Sequence, residues 1–95
     1  MLVVWLEQAE FDLDHHIRFI ASQNPRAALD QDLLIQGAIE RLSLYPNIGK
    51  IGRLRSTREL VISHTSFIAV YRVQTDRNQV HILRILHTSQ KWPPE

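Results

Sequence analysis

The residues best suited to gripping an oxyanion gather in the second half of this chain. Lys50, Arg53 and Arg55 lie within "NIGKIGRLRS" and Arg58 follows closely. Arg84 interrupts the apolar run "VHILRIL", with His87 and Lys91 just beyond it. Guanidinium groups match phosphate and carboxylate oxygens through paired hydrogen bonds. Histidine titrates close to neutral pH and can carry a proton. Brought onto one concave face, such a set could hold nucleic acid or an acidic peptide. The same residues also fit an ordinary solvated surface, with Arg84 paired to a neighbouring acid.

Other chemistries find less support. His15 and His16 are adjacent, so on a helix they point about 100° apart and cannot chelate as an i, i+4 pair. No metal site is expected. "NIGKIGR" lacks the spacing and flanking strand of a phosphate loop, and no cofactor is expected. The chain has no cysteine, which removes disulfides and thiolate zinc sites.

The formal net charge of +1 conceals a partition. Seven acids and three arginines in residues 1–47 give about −4; eight Lys/Arg and three acids in residues 48–95 give about +5. The second half therefore suits a polyanion or an acidic partner. At 95 residues and 44% apolar content the chain is expected to be one folded domain, residues 1–95. No run approaches the roughly 18 apolar residues of a membrane span. "MLVVWLEQAE" has no basic leader, so a cytoplasmic protein with no membrane partner is expected.

Positioning these residues requires a scaffold. "LVVW" predicts a short strand. Leu6, Ala9, Leu13, Ile17, Ile20 and Ala21 recur at helical steps and predict a helix to about Ser22. Asn24 and Pro25 suit the N-cap and first turn of a second helix. That helix would turn Leu34, Ile35, Ala38, Ile39 and Leu42 inward and stop before Pro46. "YPNIGKIGRLRS" reads as an irregular loop. Three strands are then predicted at 57–63, 67–74 and 79–86, the last two joined by "TDRN". The resulting fold class is α+β, in the order β-α-α-β-β-β. One mainly antiparallel sheet carries an αα-hairpin on one face.

A turn centred on Asp76 and Arg77 sets Tyr71 opposite Ile82, Ala69 opposite Arg84 and Phe67 opposite Leu86. The uniformly apolar set Ile68, Val70, Leu83 and Ile85 would then face the helices. Phe67, Tyr71 and Arg84 would stand on the open face, an assignment that one slip of register inverts. Phe11, His15 and Phe19 form a separate stripe off the inner side of the first helix. It is either a patch for a partner or the side that meets the second helix.

With "STRELVIS", "FIAVYRV" and "VHILRILHTSQKWP" in this order, nearly the whole chain resembles the RelE/ParE superfamily of bacterial toxins. The resemblance implies a toxin of a type II toxin-antitoxin module, neutralised by a small cognate antitoxin. In the RelE-like branch, basic residues and a general acid/base pair cleave mRNA on the ribosome. Arginine typically follows the aromatic residue of the third strand there, whereas Ile68 follows Phe67 here. The second strand carries only Arg58 where that branch is lysine-rich, and no tyrosine follows Tyr71. The pattern is closer to the ParE-like branch, which poisons DNA gyrase. On that reading Arg58, Tyr71, Arg84, His87, Lys91 and Trp92 would contact the target. Phe11, His15, Phe19, Arg53 and Arg55 would contact the antitoxin. If the protein were instead a ribonuclease, Arg58, Arg84 and His87 would carry catalysis, with ribosome and mRNA as partners. A degenerate toxin that only binds its antitoxin is the third expectation.

Overall fold

The β-branched and aromatic run Leu2–Trp5 forms strand β1, and Leu6 turns the chain directly into helix α1, Glu7–Ala21. These elements belong to a computed structural model that describes residues 1–94. Glu7 and Glu10 in the first turn of α1 and Arg18 in the last complement the helix dipole. Asn24 caps helix α2, Pro25–Glu40, its side-chain oxygen accepting from the Ala27 N–H at 3.1 Å. A 3-10 turn at Arg41–Ser43 ends the hairpin. Strands β2 (Lys50–Ile51), β3 (Arg58–Val61), β4 (Phe67–Gln74) and β5 (Gln79–His87) complete a sheet ordered β1-β5-β4-β3-β2. Among the described residues only the β1–β5 pairing is parallel.

The α+β class and the single sheet under an αα-hairpin are as the sequence predicts, with one added element. Lys50 and Ile51, expected within irregular loop, pair antiparallel with Glu59 and Arg58 and form the fifth strand. Two residues give too short a run for periodicity to register.

The register corrects the assignment of faces. Tyr71 does pair with Ile82, but a bulge then leaves Leu83 unpaired, and every later partner moves by one. Val70 therefore meets Arg84, Ala69 meets Ile85, Ile68 meets Leu86 and Phe67 meets His87. Phe67, Ala69 and Tyr71 pack into the core with Ile35, Ile39 and Leu42 of the helical layer. The larger aromatic side chains thus fill the space beneath the helices, and Ile68 and Val70 alternate to the other side. Ile85 still joins the helix-facing core, carried there by the bulge. Leu34, expected on the inner side of α2, is exposed.

Tyr71 is fully buried and so is not a target contact. Its hydroxyl donates to the Pro46 carbonyl at 2.7 Å and accepts the Gly49 N–H at 2.9 Å, fixing the loop ahead of β2. Burial pushes its ionisation above the usual phenol value, which keeps the hydroxyl a donor. A Cβ at Gly49 would stand 2.7 Å from the Tyr71 ring and 2.9 Å from the Glu59 carbonyl oxygen. Neither neighbour can retreat, so Gly49→Ala is expected to cost about 1–3 kcal/mol. Urea denaturation would show this as a lower midpoint at unchanged slope.

Candidate functional site

The sheet face turned away from the helices carries two of the predicted basic residues, Lys50 and Arg84. Lys50, Glu59, Val70 and Arg84 follow one another across four strands as direct register partners. The loop that precedes β3 folds back over this row. The Arg53 backbone N–H donates to Glu59 Oε2 at 2.8 Å, and Arg53 Nη2 donates to Oε1 at 3.0 Å. Arg72 Nε donates to the Ser56 carbonyl at 3.1 Å, tying the same loop to β4. Burial alone would raise the Glu59 pKa, but the bonds and charge of Arg53, with Lys50 nearby, hold it below the usual carboxylate range. Its negative charge sits among several cations, and the face remains net positive.

Arg84 does not stand free on this face. Its side chain is 26% exposed, and Nε donates to Asp12 Oδ2 at 2.7 Å. A second bond runs from Nη2 to Asp12 Oδ1 at 3.2 Å. Asp12, on the buried side of α1, also accepts the Ile85 N–H at 3.0 Å and Gln8 Nε2 at 3.0 Å. β1 pairs with β5 only as far as Ile82, which leaves that part of the β5 edge for the carboxylate to cap. The Trp92 ring lies 5.4 Å from the guanidinium carbon, so Arg84 anchors the C-terminal tail as well. The expectation of a free, outward arginine is thus replaced by an ion pair with a neighbouring acid.

The remaining candidates are dispersed. Arg58 Nη1 donates to the Gly49 carbonyl at 2.8 Å, so much of its hydrogen-bonding capacity holds the loop. His87 Nδ1 accepts from the Ser89 N–H at 3.0 Å and lies 2.7 Å from its hydroxyl, which orders the start of the tail. Lys91 is exposed further along that tail. Arg55 is exposed, whereas Arg53 is committed to Glu59. Phe11 and Phe19, 64% and 63% exposed, form an outward patch rather than a seam with α2. His15 stacks on Phe11 with ring centroids 6.2 Å apart.

Two residues at the centre of this arrangement escaped sequence reasoning. Asp12 and His16 lie on the sheet side of α1, one helical turn apart. His16 packs on Phe67, its Nε2 2.9 Å from the Ile85 carbonyl, where it donates. Burial lowers the His16 pKa, only partly opposed by that bond and by Asp12. A signal for Asp12 was present: a carboxylate three residues after Ala9, on the buried stripe, needs a cationic partner. Arg84 is the arginine embedded in an apolar strand. Among the described residues no cluster of three or more potential metal ligands forms, and no helix is long and apolar enough to cross a membrane.

Comparison with known proteins adds a family-level finding. The family model described as "ParE toxin of type II toxin-antitoxin system, parDE" matches residues 3–92. A Sinorhizobium fredii protein named "Putative toxin Y4kP" is 37% identical over 89 residues, spanning 94% of this chain and 90% of that protein. The fold is similar to that of a chain in the chromosomal ParDE toxin-antitoxin system from P. aeruginosa. The TM-score is 0.81 at 24% identity, covering 92% of this chain and 95% of that one. A chain of the RelBE2 toxin-antitoxin complex from Mycobacterium tuberculosis gives 0.61 at 24% identity, covering 90% and 95%.

Proposed function

This chain belongs to the ParE toxin family of type II toxin-antitoxin systems, and on that premise we propose that it acts by binding DNA gyrase and is neutralised by a small cognate antitoxin. The match to the ParE family model over residues 3–92 carries the gyrase reading. The geometry supports it from another side. A phosphodiester-cleaving site needs cations and proton carriers converging on one scissile group. Here Arg84 is paired with Asp12, Arg58 holds the loop carbonyl of Gly49, and Tyr71 is buried. A non-enzymatic toxin requires only a complementary surface. The net-positive sheet face, bordered by Lys50, Arg55 and Lys91, offers one for an acidic protein surface or for DNA held by its target.

Because Arg84 holds the fold together, its removal would confuse binding with folding. Lys50 and Arg55 are exposed and give a cleaner test. Lys50→Ala combined with Arg55→Ala is expected to raise the toxin concentration needed for half-inhibition of gyrase roughly tenfold, with the melting temperature nearly unchanged. For the antitoxin, the exposed Phe11–His15–Phe19 stripe supplies the aromatic anchors that dominate many interfaces. Phe11→Ala with Phe19→Ala is expected to weaken antitoxin binding about thirtyfold or more in calorimetry. Equal affinity in that double variant would remove the stripe from the interface.

Expression alone is expected to arrest growth, with rescue by an adjacent short reading frame encoding an acidic-tailed DNA-binding protein. Primer extension on ribosome-bound mRNA is expected to show no new ends. Cleavage ends that depend on His87 would instead make the protein a ribonuclease.

A further inference from the structure

The loop that follows α2 exposes apolar side chains that the core does not use. Leu44, Tyr45, Ile48 and Ile51 are 76%, 58%, 51% and 74% exposed, four large apolar residues within eight positions. Single apolar residues at a surface are ordinary, whereas a group of them marks an interaction site. These four share one neighbourhood. The Ile48 N–H reaches back to the Tyr45 carbonyl at 3.3 Å, and Ile51 pairs in register with Arg58. The Arg58 guanidinium in turn holds the Gly49 carbonyl at 2.8 Å and the Asn47 carbonyl at 3.4 Å, which draws the loop and the β2 edge together.

The loop is also held from beneath. The buried Tyr71 hydroxyl binds it at Pro46 and at Gly49. These anchors act on the backbone, so the apolar side chains stay outward on a segment that is already ordered before a partner arrives. The charge around them has one sign. Residues 41–58 contain five Lys/Arg and no Asp or Glu. Arg53 and Arg58 are committed to Glu59 and to the loop carbonyls, whereas Arg41, Lys50 and Arg55 are exposed.

On the gyrase reading above, we infer that this loop tip is the contact that keeps the toxin on its target, seated in an apolar recess rimmed by carboxylates on the protein surface of gyrase. Contacts to DNA run mainly to phosphate and sugar oxygens, which offer nothing to an apolar tip, so protein is the occupant. A second copy meeting loop to loop would set like charges against one another. A bilayer has no hydrogen-bond partner for the exposed Asn47 amide between Tyr45 and Ile48, whereas a protein recess supplies one. The two parts of the surface act at different stages. Cations at the rim steer encounter and set the association rate, while the buried apolar anchors set the dissociation rate.

Binding of the full chain to immobilised gyrase, followed in real time, tests this with the parent, with Leu44→Gln plus Ile51→Thr, and with Lys50→Ala plus Arg55→Ala. The first pair alters the two most exposed of the four apolar residues, so melting temperature and antitoxin affinity should match the parent. It should raise the dissociation rate about tenfold or more and leave association nearly unchanged, with inhibition of supercoiling weakened in proportion. The basic pair should do the reverse, slowing association with little change in dissociation. Should the first pair fail to fold, Tyr45→Gln alone repeats the comparison. Parent-like dissociation in the apolar variant, with a parent that inhibits gyrase, overturns the inference and leaves the gyrase reading standing. A parent that neither binds nor inhibits gyrase overturns both. Two further arms would give the loop another occupant and equally overturn it. They are sedimentation with equimolar phosphatidylserine–phosphatidylcholine vesicles, and self-association at micromolar concentration, if seen in the parent and lost in the apolar variant.

Discussion

Asp12→Ala is expected to cost about 3–5 kcal/mol, a large share of the stability of so small a domain. The carboxylate is nearly inaccessible and accepts from Gln8, from Arg84 twice and from the Ile85 backbone. Removing it leaves a half-buried guanidinium without its counterion and an N–H at the edge of β5 without an acceptor. Arg84→Ala should cost less, about 1–3 kcal/mol, because the carboxylate retains the Ile85 N–H and Gln8. Replacing both partners, with Asp12→Leu and Arg84→Met, should recover part of the loss, since burying a matched ion pair gains little over apolar packing. Urea denaturation of the three variants measures the ranking. A loss under about 1 kcal/mol for Asp12→Ala would mean that the ion pair is incidental to the fold.

Arg53→Ala is expected to be comparably damaging at neutral pH and to flatten a pH dependence. Glu59 is 1% exposed, and Arg53 supplies both its backbone and its guanidinium bonds. In the native protein the Glu59 pKa is held below its unfolded value. Its contribution is therefore complete above the ordinary carboxylate pKa and is lost as pH falls through the depressed folded value. In Arg53→Ala the guanidinium bonds and charge are lost, and only the backbone N–H of residue 53 and Lys50 still oppose burial, so the folded pKa moves upward. Less stability is then tied to the ionised carboxylate, so the variant should lose less than the parent as pH falls. At pH 7 the deficit should reach about 3 kcal/mol, narrowing toward pH 4. Parallel curves for variant and parent between pH 7 and 4 would contradict this placement of Glu59.

The sequence made the scaffold legible where the signals were periodic or local. The stripe from Ala9 to Ile20, the Asn24-Pro25 start and the alternation of 67–74 each rest on a few neighbouring residues, and each element formed where expected. Long-range pairings were harder to read. The bulge at Leu83 inverted the faces assigned to Phe67, Val70 and Tyr71, because a period of two carries no mark for an inserted residue. The Asp12–Arg84 pair joins residues 72 positions apart. Its two halves were visible singly, as an acid on an apolar stripe and an arginine in an apolar strand, but no spacing rule links them. Arg53 and Glu59 lie close in sequence, yet only the fold-back of the loop over β3 brings them together. The six residues assigned to the target from β3 to the tail proved to include a structural arginine at Arg84 and the buried Tyr71. Exposed cations at Lys50 and Arg55 remain at the surface of that region.

The ParE family match, the basic sheet face and the committed roles of Arg58, Arg84 and Tyr71 are the support for the proposal that this toxin acts by binding gyrase. A plasmid supercoiling reaction with purified gyrase, ATP and micromolar toxin tests this most directly. Loss of supercoiled product is expected, with protein-linked cleaved plasmid on denaturation and recovery of supercoiling when the cognate antitoxin is added. Full supercoiling at micromolar toxin, from a preparation that still arrests growth in cells, would contradict gyrase as the target.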